Sequence, residues 1–449
     1  MEHTMPHIVK IIAQLVDEQT GKVIEQQVVQ QKHVSLPPTF DDFGLRHKQQ
    51  VELIKNSQDF LLKFECKLLS TDITCPHCGS KPRKQGMIDS DFHDVYTDHK
   101  ISIQRLSCTC GWRNHYTLNS IYGSSIHPEL AQLQAKHASN MSFEKACQLI
   151  NDFSGGDRKI NNRATLSRIT HKVGDCLDIY KKSEEWSSES SVIATELIMV
   201  TDGGHVQDRD INKHSFEEMV STVFNAEDLI VQKDDSHELK KRISVASARK
   251  DAQYSIKRLT RNACLRSGMN KQTKITALTD GANNCWSIVN SLSSYCGQIT
   301  RILDWFHIGK KFKERESKIP NELRALYNKG KWHLWHGRPR TAIIRLNQLQ
   351  DELADKEVIK KVNELKSYIT NNEGYIVNYH IRKIKKLSYS SQLAETSVNC
   401  IINERQKNKK MQWSRSGAHD ILQIRTSLFS KTWQQDWDKV KEKLYTKAA

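Results

Sequence analysis

Apolar and polar positions alternate from residue 8 to residue 34 on either side of Thr20-Gly21, as in Ile8-Val-Lys-Ile-Ile and Val23-Ile-Glu-Gln-Gln-Val-Val. A period of two around a glycine turn predicts a β-hairpin. From Pro128 to Ile179 the pattern becomes helical, with a break at Ser154-Gly155-Gly156. The polar, serine-rich stretch from Ser183 to Ser191 predicts a linker and the main domain boundary. After it a nearly continuous apolar run, Val192 to Val200, predicts a buried strand that delivers Asp202 to its C-terminal edge. Strand-type segments follow at Glu217 to Phe224, Leu229 to Gln232 and Arg242 to Ala248, then a helix at Ala252 to Arg266. A strand at Lys274 to Thr279 ends in Asp280-Gly281, and a helix at Asn284 to Leu292 leads to a strand at Ile299 to Asp304. Beyond Phe306 the pattern is helical and basic until Ser390-Ser-Gln-Leu-Ala-Glu395, read as an insertion followed by a closing helix.

Composition narrows the setting. A chain of 449 residues with 37% hydrophobic content exceeds one ordinary domain, so a large α/β domain with smaller modules is expected. A net charge of +16 and a pI near 9.2 call for an anionic partner, nucleic acid before acidic membrane. No stretch is apolar enough to span a membrane and the start has no signal-type segment, so a cytosolic, nucleoid-associated protein is expected.

Four of the eleven cysteines form two tight pairs, Cys75-Pro-His-Cys78-Gly79 and Cys108-Thr-Cys110-Gly111. Four soft ligands on two glycine-flanked turns predict a structural Zn²⁺ knuckle with every coordination position filled. Because the second pair is CxC, His77 or His115 could replace one cysteine. Lys81, Arg83, Lys84 and Arg105 between the pairs could grip phosphates. The broken helical stretch after them, with Arg163, Arg168, His171 and Lys172 nearby, reads as a helix-turn-helix with a long turn or as an ordinary helical hairpin.

Three meandering strands, then helix, strand, helix, strand, is the order of a ribonuclease H-like fold. There the first and fourth strands are neighbours, so Asp202 and Asp280 would meet. Paired carboxylates suit hard divalent cations, and two such ions can activate an attacking oxygen and steady a leaving oxygen in phosphodiester chemistry. A third carboxylate would come from the closing helix, at Glu395 or, nine residues on, Glu404.

The residues that follow one another here resemble a known group. Thr201-Asp202-Gly203-Gly204, Leu278-Thr-Asp280-Gly281, Leu303-Asp304-Trp305-Phe306-His307-Ile308, Lys331-Trp332-His-Leu-Trp335-His336-Gly337, Ala394-Glu395-Thr-Ser-Val398-Asn399 and Met411-Gln-Trp413-Ser414-Arg-Ser-Gly417-Ala418 occur in this order. Together they resemble insertion-sequence transposases of the DDE class, in the group related to Mutator-like elements and most like the ISKra-type family. The resemblance covers roughly residues 192 to 425. It implies Asp202, Asp280 and Glu395 as the catalytic carboxylates holding Mg²⁺ or Mn²⁺, and an Asp-x-x-His element met by Asp304 and His307. Asp304 is read either as a direct ligand or as the partner that orients His307.

The expected organisation is a multidomain α/β (α+β) chain. It comprises an N-terminal hairpin and helical region (1–65), a zinc-knuckle module of zinc-ribbon type (66–122), a helix-turn-helix-like DNA-binding region (123–182) and a linker (183–191). A ribonuclease H-like core (192–308), a helical insertion (309–389) and the closing catalytic helix with C-terminal helices (390–449) complete it. Lys310, Lys311, Lys313, Arg338, Arg340, Arg382, Lys383, Arg405, Lys409 and Lys410 are the candidate DNA contacts. Trp332 and Trp335, three apart, are read as packed core, with base stacking as the alternative. The expected activity is metal-dependent cleavage at the terminal inverted repeats of a mobile element and transfer of the freed 3′-OH to target DNA, by a homodimer or larger assembly. The rivals are a catalytically dead, transposase-derived DNA-binding regulator and an RNA-processing nuclease on the same fold.

Overall fold

The computed structural model describes the chain except residues 1–6, 35–39, 189–191, 211, 232–236, 391–396 and 446–449, with the backbone alone at 42, 230–231, 237–238 and 409. It is a mixed α/β protein that divides into two compact units, Met1–Val173 with Trp437–Ala449, and Gly174–Asp436. No helix among the described residues is long and apolar enough to cross a membrane.

The first unit starts with the expected hairpin, β1 (His7–Val16) and β2 (Val23–Val34), turned at Gly21 with φ +68°. A 22-residue helix, His47–Leu68, follows. A second hairpin, β3 (Arg83–His93) and β4 (Asp98–Ser107), carries a small core of Ile101, Ile103, Leu118 and Cys66. Helices Pro128–Asn140 and Phe143–Ser154 come next, then Arg163–Lys181, of which the residues from Gly174 on are counted with the second unit. Ser142 caps the second through the amide of Lys145, and Gly155, left-handed at φ +70°, ends it. The break before the third helix is anchored: the buried Arg158 donates to Asp98 and to the carbonyls of Asp94, Val95 and Thr97 in the β3–β4 turn.

The second unit is built on a five-stranded sheet. Its strands are β5 (Glu196–Gln207), β6 (Ser215–Asn225), β9 (Ile243–Ser247), β10 (Lys274–Thr279) and β11 (Gln298–Leu303), in the order β11-β10-β5-β6-β9. β5, β6 and β9 are antiparallel, whereas β10 and β11 run parallel to β5. The first and fourth strands of this sheet are therefore neighbours, because the long helix Tyr254–Arg266 carries the chain across to the other side of β5.

Three expectations are corrected. β5 does not end at Asp202; its pairing with β10 stops at Thr201↔Thr279, while its pairing with β6 continues through Asp202↔Val220 to Gln207↔Ser215. Asp202 thus sits mid-strand, at the point where β5 loses one neighbour. Leu229 lies outside the main sheet: β7 (Leu229–Val231) pairs only with β8 (His237–Leu239) in a separate ribbon. The stretch read as a linker includes the helix Glu184–Ser187, whose Trp186 is 1% exposed, lies under the Arg266 guanidinium and donates to Asp436. An indole among serines marks a buried anchor rather than a spacer.

After β11 the helices Trp305–Glu316, Arg324–Trp335, Pro339–Asp351, Lys356–Asn371 and Tyr379–Ile384 form the expected helical region. Leu334, Leu346, Val362, Leu365 and Ile369 share one core with Ile198, Val200, Leu278 and Ile302 of the sheet. Alternation along β5, β10 and β11 puts Asp202, Asp280 and Asp304 on the face these apolar residues occupy. The helical region consequently packs beside the acidic residues.

Candidate functional site

Each acid is held by its own local turn. Asp202 Oδ1 accepts from the Gly203 amide at 2.7 Å, Asp280 Oδ1 from Ala282 at 2.9 Å, and Asp304 Oδ1 from Phe306 at 3.0 Å, where it caps the helix Trp305–Glu316. The Asp304 amide donates to the Thr279 carbonyl at 2.8 Å, fastening the end of β11 to the end of β10. His307, one helical turn beyond Asp304, brings Nε2 to 3.6 Å from Asp304 Oδ2 and 3.9 Å from Asp202 Oδ2. Asp304 is fully buried. Burial raises the Asp202 carboxyl above its usual range, and the nearby Asp280 and Asp304 add to the rise while His307 opposes it.

Three further residues, Tyr368, Asn372 and Cys285, support this corner without any signal in the sequence. Tyr368 donates from its hydroxyl to the Asp280 carbonyl at 2.8 Å. Gly281 has φ +92°, and a Cβ there would lie 2.5 Å from Asn372 Oδ1, so any other residue after Asp280 is strained and pushes on Asn372. Cys285 is buried close enough to Asp280 and Asp202 that burial first, and then these acids, push its thiol well up. Asp280, Gly281, Trp286, Lys311, Tyr368 and Asn372 line an open cleft of about 950 Å³.

Glu395 lies outside the described residues. The chain directly after it is described: Ser397 accepts a hydrogen bond from Thr222 Oγ1 at 3.1 Å, and Val398 and Ile402 press on Gly204. Thr222 is paired with Val200, and Gly204 follows Asp202 by two, so these contacts bracket Asp202 on its own sheet face. Glu404, the rival, is turned to Arg425 at 3.3 Å and to the Cys400 thiol at 3.7 Å. A π-helical stretch, Asn399–Asn403, separates the two glutamates.

The second cluster lies in the other unit. β3–β4 register pairs Arg83 with Ser107, which brings the turn before β3 and the turn after β4 together at the open end of the hairpin. Cys75 and Cys110 sulfurs are 3.4 Å apart, as are those of Cys78 and Cys108, and all four lie within 4.8 Å of one another. Gly79 and Gly111, at φ +71° and +94°, make the two turns. No histidine joins this group, so neither His77 nor His115 substitutes for a cysteine. Hydrogen bonds from Ser80 hold the Cys78 thiol down at about 6, which supplies a thiolate at neutral pH. The cluster could bind a metal such as zinc. Among the described residues it alone gathers three or more such side-chain ligand atoms this tightly; the acids are spaced more widely.

The basic candidates separate into different environments. Lys310, Lys313, Arg338, Arg340, Lys383 and Lys410 are exposed, with Arg340 paired to Glu373 at 2.8 Å. Lys311 lies 4.5 Å over the Tyr368 ring at the cleft. Arg382 is half-buried and donates to the Ser388 carbonyl. Arg405 overturns its reading as a surface contact: it is 2% exposed and packed over the Trp413 ring, whose own Nε1 donates to the Gln406 carbonyl. The side chain of Lys409 is not described. Trp332 and Trp335 also part company. Trp335 packs against Trp305, Tyr379 and Tyr389, while Trp332 is 51% exposed and lies against His336 at 4.2 Å.

Compared with known protein families and with curated protein sequences, the chain matches none.

Proposed function

We propose that this chain is a DNA transposase of the DDE class, with a ribonuclease H-like catalytic domain and Asp202, Asp280 and Glu395 as its carboxylates. The observation that carries the reading is the convergence on one sheet face: Asp202 on the central strand, Asp280 at the end of the adjacent parallel strand, and residues 397–402 pressed across the level of Asp202. Glu395 stands two residues before Ser397, a reach of at most about 7 Å of extended chain.

The residues fit a divalent cation. Their donors are hard oxygens, and burial among like charges leaves Asp202 reluctant to ionise without a cation beside it. Asp202, Asp280 and Glu395 would hold Mg²⁺ or Mn²⁺, with Asp304 and His307 positioned behind Asp202. When bound, such ions supply Lewis-acid activation of the attacking oxygen and stabilisation of the leaving oxygen. The chain's own part is positional. The β10–β11 fastening and the Gly281 turn keep the acids in register, and Lys311 at the cleft would hold a phosphate of double-stranded DNA. The four cysteines, on a hairpin of zinc-ribbon type, would fix a structural Zn²⁺ and present Arg83, Lys84 and Arg105 to the same partner. A homodimer or larger assembly would bring two transposon ends together.

The test is Mg²⁺-dependent nicking of DNA carrying the ends of the encoding element. Asp202→Asn is expected to reduce strand cleavage to background while leaving end binding intact. Retained cleavage would refute the assignment, and cleavage confined to structured RNA would move the chain to the nuclease class.

A further inference from the structure

We propose that the second unit contains a binding site for phosphate groups at the end of the sheet opposite Asp202. The site is a cavity of about 540 Å³, within the range of small-ligand pockets, at Val223, Phe224 and Asn225 of β6. Those residues pair with Met199, Ile198 and Leu197 at the start of β5. Three to five residues of strand therefore separate the cavity from Asp202, about 10–16 Å at ~3.3 Å each.

Its charge is one-sided. Lys240, Lys241, Arg242, Arg266 and Lys431 line it against one carboxylate, Asp228, and the hydroxyls of Ser430 and Thr432 stand at its wall. Arg266 is paired with Asp436 at 3.2 Å. Arg242 differs: it is half-buried, its guanidinium lies 3.8 Å over the Phe429 ring, and its Nε donates to the Phe429 carbonyl at 3.3 Å. These partners are neutral, and a half-buried cation beside further lysines gains most from an anion that enters the cavity. A guanidinium already oriented by a ring and a carbonyl presents a planar donor fork, the geometry that phosphate oxygens accept. Phosphate could come from a polynucleotide backbone or from a free nucleotide or pyrophosphate. The polynucleotide source rests on the function proposed above, with a strand running several nucleotides past the acids, whereas the phosphate site itself does not.

Lys240, Lys241 and Lys431 are exposed, so their joint replacement by Gln spares the fold; Arg242→Gln is the second variant. The control carries Lys10→Gln, Lys22→Gln and Lys100→Gln, which removes the same charge from exposed positions of the other unit. Inorganic pyrophosphate binding is read by calorimetry in metal-free buffer, and binding of a short labelled DNA duplex by anisotropy across a salt titration. We expect the triple variant and Arg242→Gln to weaken one or both ligands by roughly tenfold, and the control to leave both unchanged. For the duplex, the salt slope should fall by about one for each phosphate that is no longer neutralised. Weakened duplex binding identifies a polynucleotide, and weakened pyrophosphate binding alone identifies a small phosphate ligand. If both variants bind pyrophosphate and duplex as the control does, the site is refuted, whatever the Asp202→Asn cleavage assay returns.

Discussion

The two clusters of ligating side chains are assembled by opposite means. The cysteines need one hairpin: pairing Arg83 with Ser107 is enough to close Cys75, Cys78, Cys108 and Cys110 into a group within 4.8 Å, and Cys78 and Cys110 stay exposed. The acids need the whole sheet, since Asp202, Asp280 and Asp304 arrive on three strands whose neighbours are fixed only by a crossover, and Asp304 is fully buried. A cluster made by local register gains stability from its metal, because thiolates close together have little else to hold them there. A cluster made by topology is held by the apolar core around it and tolerates like charges that weaken it. Damage to the first should therefore appear in folding, and damage to the second in chemistry.

Asp280→Asn puts this contrast to its hardest test. Cleavage should fall to background, as for Asp202→Asn, with circular dichroism and the melting temperature close to those of the unsubstituted chain. A large drop in stability would mean that the acids are structural and would erase the contrast. Cys108→Ser is expected to do the reverse: zinc, expected by atomic absorption at one per unsubstituted chain, should be lost, and the first unit should become open to proteolysis. An apparent contribution of about 10 kcal/mol from a structural zinc makes this the largest stability effect of the series.

How legible each cluster was follows from the same difference. The cysteine pairs were readable because ligand spacing in turns is a local property, and the glycines after each pair marked the turns. Asp202 and Asp280 were readable through the strands that carry them, yet the end of β5 was misplaced. The apolar run stops at Val200 because β5 loses β10 just beyond, after Thr201, while β6 continues to support residues 202–207 whatever their polarity. Tyr368 and Asn372 left no trace because their roles depend on a helix packed from far along the chain, and Cys285 left none because a lone cysteine carries no ligand spacing. Arg405 looked like part of a basic run; only the fold shows that Trp413 covers it. Trp186 had a signal that the serine-rich composition around it outweighed.

Gly281→Ala sharpens the boundary between chemistry and structure at a single atom. At φ +92° the added Cβ meets Asn372 Oδ1 at 2.5 Å, so either the turn or the insertion must shift. Strain of about 1–3 kcal/mol is expected, with cleavage reduced roughly in proportion because Asp280 is the adjoining residue. Gly204→Ala serves as the milder partner, since its Cβ would meet the flexible end of Ile402 at 3.1 Å. Equal effects in cleavage and melting assays would show that the turn after Asp280 has no special constraint.

The smallest effect distinguishes two acids on one sheet face. Glu218, paired with Gly204, is fully buried, and among the described residues its carboxylate oxygens make no well-formed hydrogen bond, with Gln406 beside them. Burial pushes its pKa from 4.5 up to about 8 although Lys407 and Arg415 pull it down, so at neutral pH it is predominantly neutral. Asp202 is two positions away along β5, but it faces His307 and the other acids. The sign follows from linkage. Below pH 4.5 Glu218 is protonated whether the chain is folded or unfolded, and its stability is fully present. As pH rises from 4.5 towards 8 the unfolded chain releases a proton that the folded chain keeps, and stability declines progressively; beyond about 8 the deficit is constant. Glu218→Gln removes that titration. Its stability advantage over the unsubstituted chain, read from urea midpoints, should be absent near pH 4, open above 4.5 and level off past 8, with cleavage unchanged in the same buffers. Impaired cleavage would make Glu218 part of the chemistry, and the separation between the sealed acid and the working ones would fail.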